Sequence, residues 1–205
     1  MAPADRRQIG PVRILPVTGE ALRRYIPDLA RLRIQVFRDW PYLYEGDEAY
    51  EREYLETYIR SSRAVVVLAL EGERAVGAST ALPLADEAAY VTGPFVERGL
   101  DLEPYFYFGE SVLDRRYRGQ GVGVRFFEAR EAHARSFGTY DTACFCAVQR
   151  PDDHPMKPAG YVPLDEFWGK RGYVKDPGFV TQFPWRDIGT DEETEKPMTF
   201  WFKKL

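Results

Sequence analysis

Nine consecutive residues, Arg115-Arg116-Tyr117-Arg118-Gly119-Gln120-Gly121-Val122-Gly123, set three glycines at alternate positions behind a run of arginines. Glycines leave successive backbone N–H groups open to an anion, and a helix starting at this point adds its positive N-terminal end. Arg115, Arg116, Arg118 and Arg125 make a local positive field that suits a ligand carrying several phosphates. The bland reading is a plain tight turn, and the flanking arginines and the following helical pattern argue against it. Spacing excludes two common phosphate sites. No Gly-Lys-Ser/Thr follows the second glycine, as a P-loop requires, and the glycines do not form Gly-x-Gly-x-x-Gly directly after a strand.

The elements that must position this turn are legible from periodicity. A β-prone run, Val12 to Val17, leads to a helix start near Gly19, and Pro27 opens a second helical stretch in which Leu29, Leu32, Val36 and Trp40 recur before Pro41. A helix from about Asp47, its N-cap, to Arg60 stacks Tyr50, Tyr54 and Tyr58 four apart, a stripe read as core packing. Ala64 to Leu70 and Ala75 to Leu82 read as a hairpin closed by Pro83. Asp86 to Asp101 has no consistent period. Tyr105 to Leu113 is the most β-prone stretch, with Gly109 suggesting a bulge inside one long strand. Val122 to Phe137 is helical, with Phe126, Ala129, His133 and Phe137 on one face, a Glu131–Arg135 pair, and Gly138 beyond its end. Thr142 to Val148 is a strand. A Pro-rich loop, Pro151 to Pro163, precedes a short helix at about Leu164 to Arg171, and β-like runs near Phe179 to Trp185 and Met198 to Lys203 finish the chain.

Composition bounds the rest. With 205 residues, 44% of them hydrophobic, one α/β domain over 1–205 buries an ordinary core. The balance of 28 Lys+Arg against 32 Asp+Glu, a net charge of −4, argues against a nucleic-acid partner. Cys144 and Cys146, the only cysteines, exclude a disulfide framework and a Cys-rich zinc site. The N-terminal MAPADRRQIGPVR lacks an apolar signal core, and Ala64 to Leu70 is far short of a membrane span, so the expectation is a cytoplasmic protein with no membrane partner.

The order Arg-x-x-Gly-x-Gly between a strand and a helix resembles the pyrophosphate-binding motif of the GNAT superfamily of N-acetyltransferases. The downstream Phe167-Trp168-Gly169-Lys170-Arg171-Gly172-Tyr173 is similar to that family's aromatic-glycine element, and the element order agrees over nearly the whole chain. The resemblance implies an α/β (α+β) mixed sheet, the GNAT-like acyl-CoA N-acyltransferase fold, with a splayed central strand pair: Tyr105 to Leu113 and Thr142 to Val148. It implies acetyl-CoA as cosubstrate, with no metal. The amides from Arg118 through Gly119, Gln120, Gly121, Val122 and Gly123 would hold the pyrophosphate, and Ser111, Val112 and Leu113 would line the pantetheine arm. Leu113 stands where the family usually has a valine whose main chain contacts the acyl group. Trp168 falls on the family's frequent acidic tyrosine; indole cannot donate that proton, so Trp168 is read as packing on the arm or in the core.

Acetyl transfer needs a proton acceptor for the amine and a proton donor for the departing thiolate. Glu110 is the candidate base. Strict alternation buries it among Phe106, Phe108 and Val112, where its pKa would rise, although a structural pairing with an arginine is the alternative. Tyr161, Tyr173 or water would protonate the thiolate. The acceptor pocket of the resemblance draws on the aromatic, acidic segment Asp39 to Asp47, with Tyr42, Tyr44 and Glu45, and on His154 in the loop after the second central strand. Adjacent Asp152, Asp153 and His154 lack metal-site spacing. The expectation is an N-acetyltransferase for a small or amino-acid-like amine, acting as a monomer or homodimer. The alternative is a catalytically silent acyl-CoA-binding sensor.

Overall fold

The computed structural model describes residues 10–205, so the reading of the extreme N-terminus falls largely outside the described residues. Strands β1 (Arg13–Val17), β2 (Val65–Glu71) and β3 (Arg74–Pro83) form an antiparallel meander, with β2 and β3 joined by a tight turn at Gly72, whose φ is 60°. Strand β3 then pairs at one end with β4 (Tyr105–Tyr107) and at the other with β5 (Ser111–Leu113). Strand β4 runs parallel to β6 (Thr142–Val148), which pairs antiparallel with β8 (Glu193–Lys204), and β7 (Val174–Arg186) closes the order β1-β2-β3-β4-β6-β8-β7.

Helices cover both faces. On one, α1 (Ile26–Phe37), α2 (Glu48–Arg60) and α3 (Ala89–Glu97) bury Leu29, Leu32, Leu55, Tyr58 and Phe95 against the even positions of β2, Val66 and Leu68. On the other, α4 (Val122–Ser136) lays Phe126 and Phe127 on the odd positions Val65 and Val67, with α5 (Asp165–Gly169) beside it. Because both faces of β2 are covered, its sequence is a continuous apolar run rather than an alternating one. Asp47 caps α2 by accepting the Tyr50 N–H at 2.9 Å. The described residues contain no helix long and apolar enough to cross a membrane.

Four departures from the sequence reading matter. Helix α1 stops at Phe37, three residues before Trp40. Asp86 to Asp101 holds α3, hidden from pattern reading by an internal Gly93-Pro94 and by the absence of a side-chain cap. The two closing strands run longer than their apolar centres, because polar residues continue the β7–β8 ladder out to Arg186 and Glu193. The fourth is the break in the long strand: Tyr105 to Leu113 is two strands separated at Phe108-Gly109-Glu110. The cause is steric and local. A Cβ on Gly109 would press on the hydroxyls of Tyr58 and, at 2.6 Å, of Thr80, so the chain passes these two side chains where only glycine fits.

Candidate active site

The break at Gly109 divides the sheet. Up to Phe108, whose N–H reaches the Cys144 carbonyl at 2.8 Å, β4 and β6 are bonded; beyond it β5 stays with β3 and β6 stays with β8. Ladder alternation then fixes which main-chain groups face the gap. Thr80 N–H bonds the Glu110 carbonyl (3.0 Å) and Asp114 N–H bonds the Val76 carbonyl (2.9 Å), so Val112, which lies between them in register, is also committed to β3. Ser111 and Leu113 therefore turn their main-chain groups away from β3, into the gap. On the far side Gln149 N–H bonds the Pro197 carbonyl (2.8 Å), which by the same alternation points the main chain of Cys146 and Val148 into it. The result is a slot between two strands with hydrogen-bonding groups on both walls.

The gap leads to the basic turn. Gly119 and Gly121 have φ of 76° and 75°, a region costly for other residues, and nothing lies within 4 Å of a Cβ placed on either. Both glycines serve backbone conformation, whereas Gly123 serves packing, since its Cβ would meet the Phe167 ring of α5 at 3.2 Å. Among the described residues, the amides of Gly119 to Val124 have no protein acceptor. They sit at the start of the 15-residue helix α4, whose buried Val122 anchors it. An anion fits here. Of the four arginines, Arg115 pairs with Asp39 (2.8 Å) and Arg116 with Asp114 (2.8 Å), and the latter pairing holds the Asp114 carboxyl below its usual range. Arg118 reaches the Leu113 carbonyl at 3.3 Å and Arg125 the Val12 carbonyl at 3.2 Å, and among the described residues neither meets a carboxylate. The Gln120 side-chain Nε2 donates to the Arg116 carbonyl at 3.2 Å.

At the vertex of the gap, on the α1–α3 face, lies a cavity of about 120 Å³ whose floor is Tyr107, Gly109, Glu110 and Cys146. The Glu110 side chain is 8% exposed but does not lie among Phe106 and Phe108. Those two rings belong to the α4 face, and the break at Gly109 rotates Glu110 onto the opposite one. Its surroundings are ionic: Arg33 of α1 meets Oε1 at 2.5 Å, and the Tyr54 hydroxyl donates to Oε2 at 2.9 Å. Arg33 also bonds Glu51 of α2 through Nε and lies 4.1 Å over the Tyr54 ring. Burial, and next the Glu110 charge, push the Tyr54 phenol well up, so it is a donor. Its oxygen is 2.8 Å from that of Tyr58, which continues to Thr80 at 3.0 Å. The tyrosine stripe read as core is thus only partly core: Tyr58 is buried, while Tyr54 and the exposed Tyr50 line the cavity. Cys146, held by the Tyr107 hydroxyl at 3.0 Å, has its thiol pushed up to about 12 by burial and is no nucleophile.

The other expected residues divide between places. Tyr42 and Tyr44 line the cavity; Tyr42 also borders a second one of about 560 Å³ at the end of β6, with Trp40, Tyr161 and Trp168. There Trp168 packs at 5.1 Å on Phe145 and 5.2 Å on Trp201. His154 is behind Trp40, at 5.0 Å, and Glu45 is taken by Arg38 at 2.6 Å; neither lines either of these two cavities. Tyr173 is buried on the α4 face, where its hydroxyl donates to Glu131, itself bonded to Lys203 and Arg135. Sequence reading missed Arg33, Tyr54, Glu51, Glu87 and Tyr90. Only the tyrosine spacing carried a signal for any of them.

A strand pair that parts at a glycine, an amide turn without protein acceptors at a helix start and a buried carboxylate at the vertex make up the candidate site. The Acetyltransferase (GNAT) family model matches residues 30–159, and the chain belongs to that family. No curated protein gives a significant match. Among solved structures, the ribosomal-protein-alanine N-acetyltransferase of Brucella melitensis is similar at a TM-score of 0.62 and 13% identity, over 94% of this chain and 99% of that one. An aminoglycoside 6′-N-acetyltransferase complexed with coenzyme A superposes at 0.57 with 16% identity, covering 93% and 96%. A putative acetyltransferase from Salmonella typhimurium with acetyl-CoA gives 0.60 and 10%, covering 96% and 95%.

Proposed function

We propose that this protein moves the acetyl group of acetyl-CoA to the primary amine of a small-molecule or amino-acid-like acceptor. The carrying observation is the gap whose walls present the main chain of Ser111 and Leu113 opposite that of Cys146 and Val148, running from the Arg118–Gly123 turn to the cavity floored by Glu110. An extended arm with amide groups suits such a slot, and a pyrophosphate suits the turn. Two of the similar structures hold coenzyme A or acetyl-CoA, which supports the same reading. The small size of the acceptor-side cavity, about 120 Å³ and bounded by α3 and β7, favours a small molecule over an extended chain.

In this mechanism the neutral amine attacks the thioester carbonyl carbon, the C–N bond forms, and the C–S bond breaks with its electron pair leaving on sulfur. Main-chain N–H groups of β5 facing the gap stabilise the developing oxyanion. Glu110 takes the amine proton. A carboxylate offers about four acceptor positions, so its bonds to Arg33 and Tyr54 leave room for a third partner. The thiolate is protonated by water or by Tyr161, which lines the second cavity, whereas Tyr173 is engaged with Glu131.

Calorimetric titration with acetyl-CoA, coenzyme A and a nicotinamide dinucleotide, on the native chain and on Gly121→Glu, tests the coenzyme half. Binding of the first two, lost in the variant, is expected, since a carboxylate in the cradle repels the pyrophosphate. No binding, or a preference for the dinucleotide, overturns it. Thiol release with a panel of amines tests transfer, and tight coenzyme binding without turnover would turn the reading to an acyl-CoA sensor.

A further inference from the structure

The cavity wall presents one cation, Arg33, and two carboxylates, Glu110 and Glu87, with Glu51 directly behind Arg33. We propose that the acceptor is a small organic monocation, an amine on an apolar body with no carboxylate, and that Glu87 receives its ammonium group. The proposal rests on the cavity being the acceptor site and narrows the acceptor class named above.

The cation is already spent. Arg33 bonds Glu51 through Nε and Glu110 through Nη1, and its guanidinium face lies over the rings of Tyr54 (4.1 Å) and Phe37 (5.1 Å). An acceptor carboxylate, as in a free amino acid, would find no available positive partner on the wall and would face two negative groups. Glu110 is also engaged, one oxygen on Arg33 and the other accepting from Tyr54. Glu87 differs. Its partner among the described residues is the neighbouring Ala88 N–H, 3.2 Å from Oε2, and no cation pairs with it. Burial pushes its carboxyl up to about 7, so the ionised form is costly without a ligand, and an arriving ammonium removes that cost. Around it, Tyr50, Tyr90 and Phe183 turn aromatic surface to the cavity, with Tyr90 edge-on to Phe183 at 4.6 Å. Ring faces beside one unpaired carboxylate recognise an organic ammonium, and the apolar body fills the rest.

The test is calorimetric titration of the full chain, saturated with coenzyme A, with two matched pairs: isobutylamine against valine, and 2-phenylethylamine against phenylalanine. In at least one pair the amine is expected to bind about tenfold or more tightly than its amino acid, and the methyl ester of that amino acid to recover the loss. Glu87→Gln should weaken the amine about tenfold and leave coenzyme A affinity unchanged. Equal binding within both pairs, preference for the amino acids, no binding by any probe, or an unaltered amine affinity in Glu87→Gln would each overturn the proposal. Failure of the acetyltransferase reading is separate: its coenzyme half fails as absent coenzyme A binding in the saturation step, and its transfer half as amine binding with no thiol release from acetyl-CoA. Far-ultraviolet circular dichroism establishes that the variant is folded. If Glu87→Gln does not fold, Glu87→Asp, which withdraws the charge by one methylene, replaces it and must weaken the amine; if it does not, the proposal falls.

Discussion

The turn at Arg118–Gly123 and the cavity around Glu110 lie at opposite ends of one strand gap, yet the first is made of main chain and the second of side chains. The turn offers the amides of Gly119 to Val124, which have no protein acceptor among the described residues because two glycines adopt positive φ and a helix begins there, whereas the Arg118 N–H bonds the Arg115 carbonyl. The cavity draws on α1, α2, α3, the β4–β5 break, β6 and β7, and its one cation, Arg33, is shared between Glu51 and Glu110. A backbone site tolerates exchange of most side chains but fails when one glycine changes. A side-chain site fails by degrees, according to which partner is lost and how deeply it is buried. The same fold can therefore keep a main-chain site at one end of the gap while the side-chain site at the other end changes.

Four substitutions sharpen the contrast. Gly121→Glu should lower acetyl-CoA affinity by about a thousandfold or more, roughly 4 kcal/mol, because it combines a strained φ with a repelling charge. Calorimetry reads the affinity, and the thermal midpoint should move little. Arg33→Leu should do the opposite, destabilising the fold by about 3–5 kcal/mol by leaving two buried carboxylates without their cation. Urea unfolding measures that loss, and an unchanged midpoint would show that the buried network carries no weight. Glu110→Gln should reduce kcat about a hundredfold, near 2.7 kcal/mol, with coenzyme affinity intact, and an unchanged rate of thiol release would remove Glu110 as the proton acceptor. Tyr54→Phe is expected to cost about 1 kcal/mol, seen as a several-fold fall in kcat/KM, because it deletes one hydrogen bond to Glu110 and leaves Arg33 in place.

Glu87 adds a pH signature on the acceptor side. Its carboxyl, raised from an ordinary 4.5 to about 7 in the folded chain, binds more protons folded than unfolded between those values. Stability therefore falls as pH rises from 4.5 to 7, and the penalty is fully present above 7. Glu87→Gln should raise the thermal midpoint more at pH 8 than at pH 5, readable by calorimetric scanning.

Most elements were legible because hydrophobic period and punctuation agree locally, as in the α2 cap at Asp47 and the hairpin turn at Gly72. The exceptions have physical reasons. Helix α3 contains a Gly-Pro pair that local propensity penalises, and it is held by Phe95 packing among Tyr105, Phe179 and Phe200. Strict alternation places Glu110 beside Phe106 and Phe108, and it failed because the hydroxyls of Tyr58 and Thr80, from other elements, force the break at Gly109. Glu45 and His154 carried suitable chemistry in a suitable loop, but Arg38 takes one and Trp40 packs against the other.

By itself the sequence determined the basic glycine turn, the helix that follows it, the hairpin and the family, since these depend on residues close together in the chain and on glycines whose backbone freedom no neighbour supplies. Only the tertiary structure decided which face Glu110 occupies, that Arg33 is its partner, and that Glu87 has no cationic partner among the described residues. Those are pairings between segments far apart in sequence, and electrostatic partnership at 3 Å is set by how helices pack on the sheet, which no local pattern encodes.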